Sequence, residues 1–409
     1  MPNGVTTKLL VEQIETLPPL APIANRVMAV TDSPHSSATD VARVLCEDPA
    51  IVAKILRVAN SPFYGSSRRI TEVSRAVVIL GAVATRNLVV GLCAQESLLT
   101  AGADCDTHRQ LWRHSVAVAA ASDLIAARVG HDPPEEALLA GLLHDIGQLA
   151  MATFQPEAFK EALASEHDEA DLLESEDACL GIHHAGAGEQ ILKKWQLPAV
   201  LCRVARSHHD AKVHQGGAHG PLLTIVMLAD KLAHFLGAGL ERDMVHVGMT
   251  PALMAALGLD DKDVCALLER LERRIAEAAE MLGMGDLRPE PDEPPVARSV
   301  LWVTLDGAPT SAQACWLMGQ RGYRVQHTTV ENLANLLQRT ALILIDMPGQ
   351  DESAQALALG LAERGYNRTV LLHGSGGRDR TRDAATGVLA MPAWFTSFDL
   401  RRIEEQVAS

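Results

Sequence analysis

Gly141-Leu142-Leu143-His144-Asp145-Ile146-Gly147-Gln148 lies within an apolar run, Ala137 to Met151, whose composition predicts a helix buried on every side. Two side chains able to ligate a metal have no packing role there. Neighbouring residues on a helix project about 100° apart, so His144 and Asp145 can both face a bundle interior, the carboxylate free to reach one ion or bridge two. Burying an unpaired carboxylate is costly, so a partner is expected. Taken alone, the pair fits a metal, or an Asp paired with a neighbouring helix or a nearby backbone.

Working outward, the first 284 residues read as helices. Pro22 opens one that runs to Val30, Ser36 or Thr39 caps the next, and Asp48-Pro49 starts a third through Ala59 with Ile51, Ile55, Leu56 and Val58 as its stripe. Asn60-Ser61-Pro62 stops it, and Asn60 and Tyr64 read as structural. Ile70 to Leu80 and Ala82 to Ser97 form two helices hinged at Gly81. A helix rich in small residues leads from Trp112-Arg113-His114 to Gly130. Asp132-Pro133-Pro134-Glu135-Glu136 starts the helix that carries His144 and Asp145: a cap, proline, then acids against the positive dipole end. Acidic helices between Pro156 and Cys179 read as solvated on one side. Gly181 to Gly188 opens a helix ending at Trp195-Gln196-Leu197-Pro198, and Pro198 to Ser207 finishes at His208-His209-Asp210. Val213 to Gly220, with His214 and His219, reads as an exposed loop. Pro221 to Leu236 is a strongly apolar helix broken by a single acid, Asp230, and Asp261 to Leu282 has a good 3.6-residue pattern through Leu267, Leu271 and Ile275.

A formal charge of −15 argues against a general nucleic-acid binder, since phosphate contacts need a basic footprint. Seven cysteines without a CxxC pair read as free thiols in a reducing compartment. Glu12, Glu15 and three prolines within the first twenty residues do not suit a signal peptide, and no apolar run reads as long enough to cross a bilayer. The expectation is a cytoplasmic protein without a membrane span.

His114, His144, Asp145, His184, His208, His209 and Asp230 interrupt these helices or end them. Imidazole and carboxylate without thiolate suit iron, manganese, nickel or zinc. The set suffices for one ion, or for two bridged by Asp145. Two ions at roughly 3.5–4 Å could activate water for attack on a phosphate ester.

The order His, His-Asp, His, His-His, Asp resembles the HD superfamily of metal-dependent phosphohydrolases. The wider text is similar to its HDOD branch: Leu56-Arg57-Val58-Ala59-Asn60-Ser61, Ala76 to Gly81, Trp112-Arg113-His114-Ser115, Gly141 to Gly147, Gly181 to Pro198, and Ser207-His208-His209. The resemblance covers about residues 10 to 280. It implies an all-helical fold and a role in bacterial signal output. It also implies that many relatives have lost ligands and are not established enzymes, whereas this chain keeps the set. The related HD-GYP branch carries a lysine after His-Asp-Ile-Gly and a Gly-Tyr-Pro loop. Here the first position is Gln148 and the loop motif is missing after His184. Charge stabilisation of a transferring phosphoryl group is a large catalytic term, so the departure counts against vigorous hydrolysis.

The chain therefore divides into a helical part, 1–284 (an N-terminal subdomain 1–100 and an HD-like subdomain 101–284), a proline- and acid-rich linker, 285–296, and a smaller part, 297–409. In the last, Ser299–Thr304, Tyr323–Gln326, Leu342–Ile345, Thr369–His373 and Gly387–Ala390 are strand-like runs alternating with helical stretches, which predicts a five-stranded parallel, flavodoxin-like α/β domain. It resembles a response-regulator receiver, with Asp346 where the phosphoacceptor stands at the end of the third strand. Yet Thr304-Leu305 replaces the acidic pair, leaving Asp306, and Met391-Pro392 lacks the lysine; Pro348 follows the acceptor two residues early. Magnesium would be poorly held and the phosphoryl charge unbalanced. A pseudo-receiver that docks a partner or, as a homodimer, a second copy is expected; Asp346 itself reads rather as a strand-end acid capping the next helix.

Two functions follow. One is a signalling protein whose helical domain binds a partner protein or a small nucleotide ligand and holds metal in its core. The other is a metal-dependent phosphohydrolase acting on a nucleotide or cyclic dinucleotide, with Asp145 catalytic.

Overall fold

The computed structural model describes residues 4–60, 69–98, 105–165, 169–210, 220–236, 238 and 250–281, then 318, 357, 361 and five strands. Among the described residues of the first part there are sixteen helices: α1 Gly4–Thr16, α2 Pro22–Thr31, α3 Ala38–Leu45, α4 Pro49–Ala59, α5 Val73–Leu80, α6 Ala82–Leu98, α7 Cys105–Val129 and α8 Pro134–Leu143, followed by α9 Ile146–Phe154, α10 Pro156–Ser165, α11 Glu169–Leu180, α12 His184–Lys194, α13 Ala199–Ser207, α14 Pro221–Phe235, α15 Thr250–Leu257 and α16 Asp261–Met281.

Local chemistry sets the ends of the early helices. Ser37, between the two expected candidates, caps α3: its hydroxyl accepts from the Asp40 N–H while the Asp40 carboxylate accepts from the Ser37 N–H. Asp48 caps α4 through the N–H groups of Ala50 and Ile51, with Pro49 in the first turn. Ile51, Ile55 and Val58 are buried as the stripe predicts. Asn60 staples the chain, its amide donating to the carbonyls of Leu56 and Ile70 and its oxygen accepting from the Ile70 N–H. Tyr64 lies outside the described residues. Gly81, at φ +87°, lets α5 and α6 meet at 105°.

Helix α7 is the axis of the second half and packs against α8, α14 and α16, while α12 packs on α9 and α13. Two glycines allow the closest approaches. A Cβ on Gly141 would lie 2.8 Å from the Val118 carbonyl oxygen of α7, and one on Gly147 2.0 Å from the His184 carbonyl oxygen of α12. Side chains there would hold α8 off α7 and α9 off α12.

Three expectations need correction. The run from Ala137 to Met151 is two helices, α8 and α9, broken at His144-Asp145. The residue before α8 is Pro133, which makes no side-chain cap, in place of Asp132. And Glu136–Phe154 is long and apolar enough to cross a membrane, although 83% of it is buried within the fold, where it serves as core.

Beyond the helices lie β1 Ser299–Thr304, β2 Arg324–Thr329, β3 Leu342–Met347, β4 Thr369–His373 and β5 Leu389–Pro392. They pair in parallel in the order β2-β1-β3-β4-β5. The helices expected between them fall outside the described residues, so the structure establishes a sheet and not a layered α/β domain. The linker, Asp306 and the loop residues 213–219 also lie outside the described residues.

Candidate metal centre

Five elements converge on one buried point. α7 brings His114, the break between α8 and α9 brings His144 and Asp145, α12 begins with His184, α13 ends at His208-His209, and α14 brings Asp230. The break has a purpose: at φ −105° and ψ 22° Asp145 leaves helical geometry. All seven residues expected from the sequence meet here. His209 is half-buried, and each of the other six is no more than 6% exposed.

Asp145 stands at the middle. Its Oδ1 lies 3.0 Å from His208 Nε2 and 3.5 Å from His184 Nε2. Its Oδ2 lies 3.4 Å from His144 Nε2 and 3.6 Å from His114 Nε2. Asp230 Oδ1 completes the second side, 3.1 Å from His114 Nε2 and 3.7 Å from His144 Nε2. His209 Nε2 completes the first, 2.9 Å from His184 Nε2. Two donor groups result, Asp145 with His184, His208 and His209, and His114 with His144 and Asp230; within each the donor atoms lie within 4.8 Å of one another.

The hydrogen bonds behind the rings fix which nitrogen faces inward. Nδ1 of His114, His144 and His208 lies 2.9, 2.8 and 2.9 Å from the carbonyl oxygens of Ala238, Gly141 and Ala205. Nδ1 of His184 lies 2.7 Å from Glu176 Oε2. Each acceptor lacks a proton, so Nδ1 carries it and the neutral ring turns an Nε2 lone pair toward carboxylate oxygens. Lone pairs facing lone pairs in a buried site call for a cation between them. Asp145 Oδ1 and His208 Nε2 moreover face each other at 3.0 Å, and neither has a well-formed hydrogen bond to any other group. The donor set therefore fits divalent transition metals, with ring nitrogens oriented by outer partners as in protein metal sites.

The same proximities decide where the protons sit. Burial opposes the His144 imidazolium, but the charge of Asp145 outweighs it and pushes the pKa up to about 10. Burial likewise opposes the Asp145 carboxylate, yet His144, His208 and His184 hold it well below the usual range. Asp230 is held down against burial by His234, His114 and His144. His208 and His234 are lowered, burial being the main cause.

Three residues of the site went unnoticed in the sequence. Glu176 lies on α11, an acidic helix expected to be half solvated, yet it is fully buried behind His184. His234 places Nε2 3.2 Å from Asp230 Oδ1 and stacks on His114 with ring centroids 4.4 Å apart. Lys231 is buried with Nζ 3.8 Å from Asp230 Oδ2. The i,i+4 spacing of Asp230 and His234 was a usable signal; for Glu176 there was none. Gln148 is buried, its Oε1 without a hydrogen-bond partner. Asp346 stands near the end of β3, in register with Leu372 of β4.

Residues 17–211 match the family model of the HDOD domain. An HDOD domain protein of unknown function from Geobacter sulfurreducens shares the fold, with a TM-score of 0.56 at 24% identity over 68% of this chain and 98% of that one. A candidate signal-transduction protein from Marinobacter aquaeolei VT8 is 26% identical with a TM-score of 0.54, covering 67% of this chain and 61% of its own. An uncharacterized protein of Treponema pallidum (strain Nichols) is 25% identical over 242 residues, 56% of this chain and 45% of the relative, so the chain spans less than half of that protein.

Proposed function

We propose that this chain, which carries an HDOD domain, is a signalling protein whose helical half is braced by one or two divalent ions of iron, manganese, nickel or zinc. The observation that carries the reading is the division of Asp145, one oxygen toward His184 and His208, the other toward His114 and His144. His114, His144, His184, His208 and His209 would supply nitrogen, Asp145 and Asp230 oxygen. Glu176 and the three carbonyls hold the tautomers, and the packed helices keep bulk water out. Drawn from five elements, such a cage ties distant parts of the chain together, and a partner protein or a small nucleotide would act by shifting the balance between docked and undocked states.

The sheet is read as the core of a pseudo-receiver. Its strand order, 2-1-3-4-5, is the flavodoxin-like one. With Thr304 and Met391 where acid and lysine would be needed, it would dock a partner or a second copy of the chain and leave Asp346 unphosphorylated.

A second reading, a phosphohydrolase acting on a nucleotide or cyclic dinucleotide, is favoured by the same division of the Asp145 oxygens. Paired divalent ions held by these residues would supply Lewis acidity and activate water. Against it stands Gln148, a neutral side chain where the related branch places a phosphate-binding lysine. Purified protein loaded with Mn²⁺ or Fe²⁺ under reducing conditions and assayed against a nucleotide panel separates the two. Turnover abolished by Asp145→Ala establishes the enzyme; bound metal without turnover leaves the braced signalling domain.

A further inference from the structure

Resting on the metal reading above, we infer that the two positions are unequal: the His184–His208–His209 position is nitrogen-rich and fills first, and the His114–His144–Asp230 position is oxygen-rich and exchangeable. Given a mixed supply, the centre would hold two different metals.

The donors themselves differ. The first position offers three imidazole nitrogens and Asp145 Oδ1; the second offers two nitrogens, Asp230 Oδ1 and the more distant Asp145 Oδ2. Imidazole suits zinc, iron and nickel, while carboxylate oxygen suits manganese.

The surroundings sharpen the difference. Glu176 Oε2 accepts both the His184 backbone N–H and its ring Nδ1–H, each at 2.7 Å. A carboxylate behind a ring makes the opposite nitrogen a stronger donor. The rings of the second position are backed only by the neutral carbonyls of Ala238 and Gly141. There the neighbours weaken the site further. Lys231 places a buried cation 3.8 Å from Asp230 Oδ2, and His234 competes for Asp230 Oδ1 at 3.2 Å. A fixed positive charge in a poorly screened interior opposes an incoming cation.

The test is a stepwise titration of the metal-stripped full-length protein, one equivalent of Zn²⁺ followed by Mn²⁺. Elemental analysis gives the stoichiometry and the aqueous Mn²⁺ resonance reports uptake. The expected result is one zinc retained and one manganese bound more weakly. Glu176→Gln should weaken the first step by roughly 10–100-fold and leave the second within a few-fold. Lys231→Met should tighten the second step without moving the first, and it decides the matter independently if Glu176→Gln does not fold. Two equivalents bound with one affinity, or both steps weakened alike by Glu176→Gln, overturn the inequality and leave the metal reading standing. Failure to bind either metal overturns both.

Discussion

The backbone of Gly147 passes so close to His184 that a Cβ on the glycine would lie 2.0 Å from the His184 carbonyl oxygen. That approach seats the first residue of α12 beside Asp145, two positions before the glycine. Gly147→Ala must therefore push α12 away from α9. Overpacking of this kind costs about 1–3 kcal/mol, and a backbone obstacle belongs at the upper end. The variant should melt earlier and bind less metal, as thermal denaturation and elemental analysis would show. Unchanged metal content would mean that His184 does not depend on this contact.

Chelation and His144→Ala probe the same centre from the ligand side. Anything bound only to the native state stabilises it by about 2.7 kcal/mol at one hundred times its Kd. Prolonged treatment with a strong chelator should thus lower the Tm, and re-addition of metal should restore it. His144→Ala should lower both metal content and Tm, and respond little to chelator. A variant that keeps its metal and its Tm would remove His144 from the cage.

Much of this was legible beforehand, and the reasons are local. Side-chain type and order alone picked out His114, His144, Asp145, His184, His208, His209 and Asp230, because each interrupts or ends an apolar helix. The break at His144-Asp145 was not legible: Leu143 and Ile146 flank it, with no glycine or proline between them, and tertiary contacts impose the turn. Glu176 was hidden by its neighbours, since Glu174 and Asp177 make α11 look solvated. Lys231, beside Asp230 in sequence, carries no spacing that marks it, and only the fold shows it buried 3.8 Å from the Asp230 carboxylate. Strand positions were read to within a few residues from their apolar runs, whereas the stretches between them fall outside the described residues.

Asp346 gives a test that does not involve metal in the helical half. Acetyl phosphate in the presence of Mg²⁺ phosphorylates a competent receiver. On the pseudo-receiver reading proposed above, Thr304 in β1 and Met391 in β5 stand where an acid and a lysine would hold the ion and balance the phosphoryl charge. Mass spectrometry after incubation should find Asp346 unmodified. A labile adduct at Asp346 would make the domain a working receiver and the chain a phosphorylation-controlled one.

The pH dependence of the chelated protein follows from His114, raised above its ordinary value because Asp230 outweighs burial, and above all from His144. Without metal its pKa is pushed up to about 10 from the ordinary 6.5, Asp145 outweighing burial. A folded-state pKa above the unfolded value means that the native state holds the proton more tightly, so the contribution is whole below pH 6.5 and is lost as pH rises through about 10. Asp145 and Asp230 run the opposite way, their contribution being present above 3.8 and lost only as the pH falls well below it. His208 and His234, lowered by burial, titrate beneath 6.5 and stay neutral in the alkaline window. The Tm of chelated protein should therefore fall between pH 7 and pH 10. In loaded protein an ion held by His144 would stand in for that proton, and tighter binding at higher pH would work in the opposite direction. The gap between the two melting curves should widen steadily with pH. If it stays constant or narrows, proton and metal do not exchange at His144.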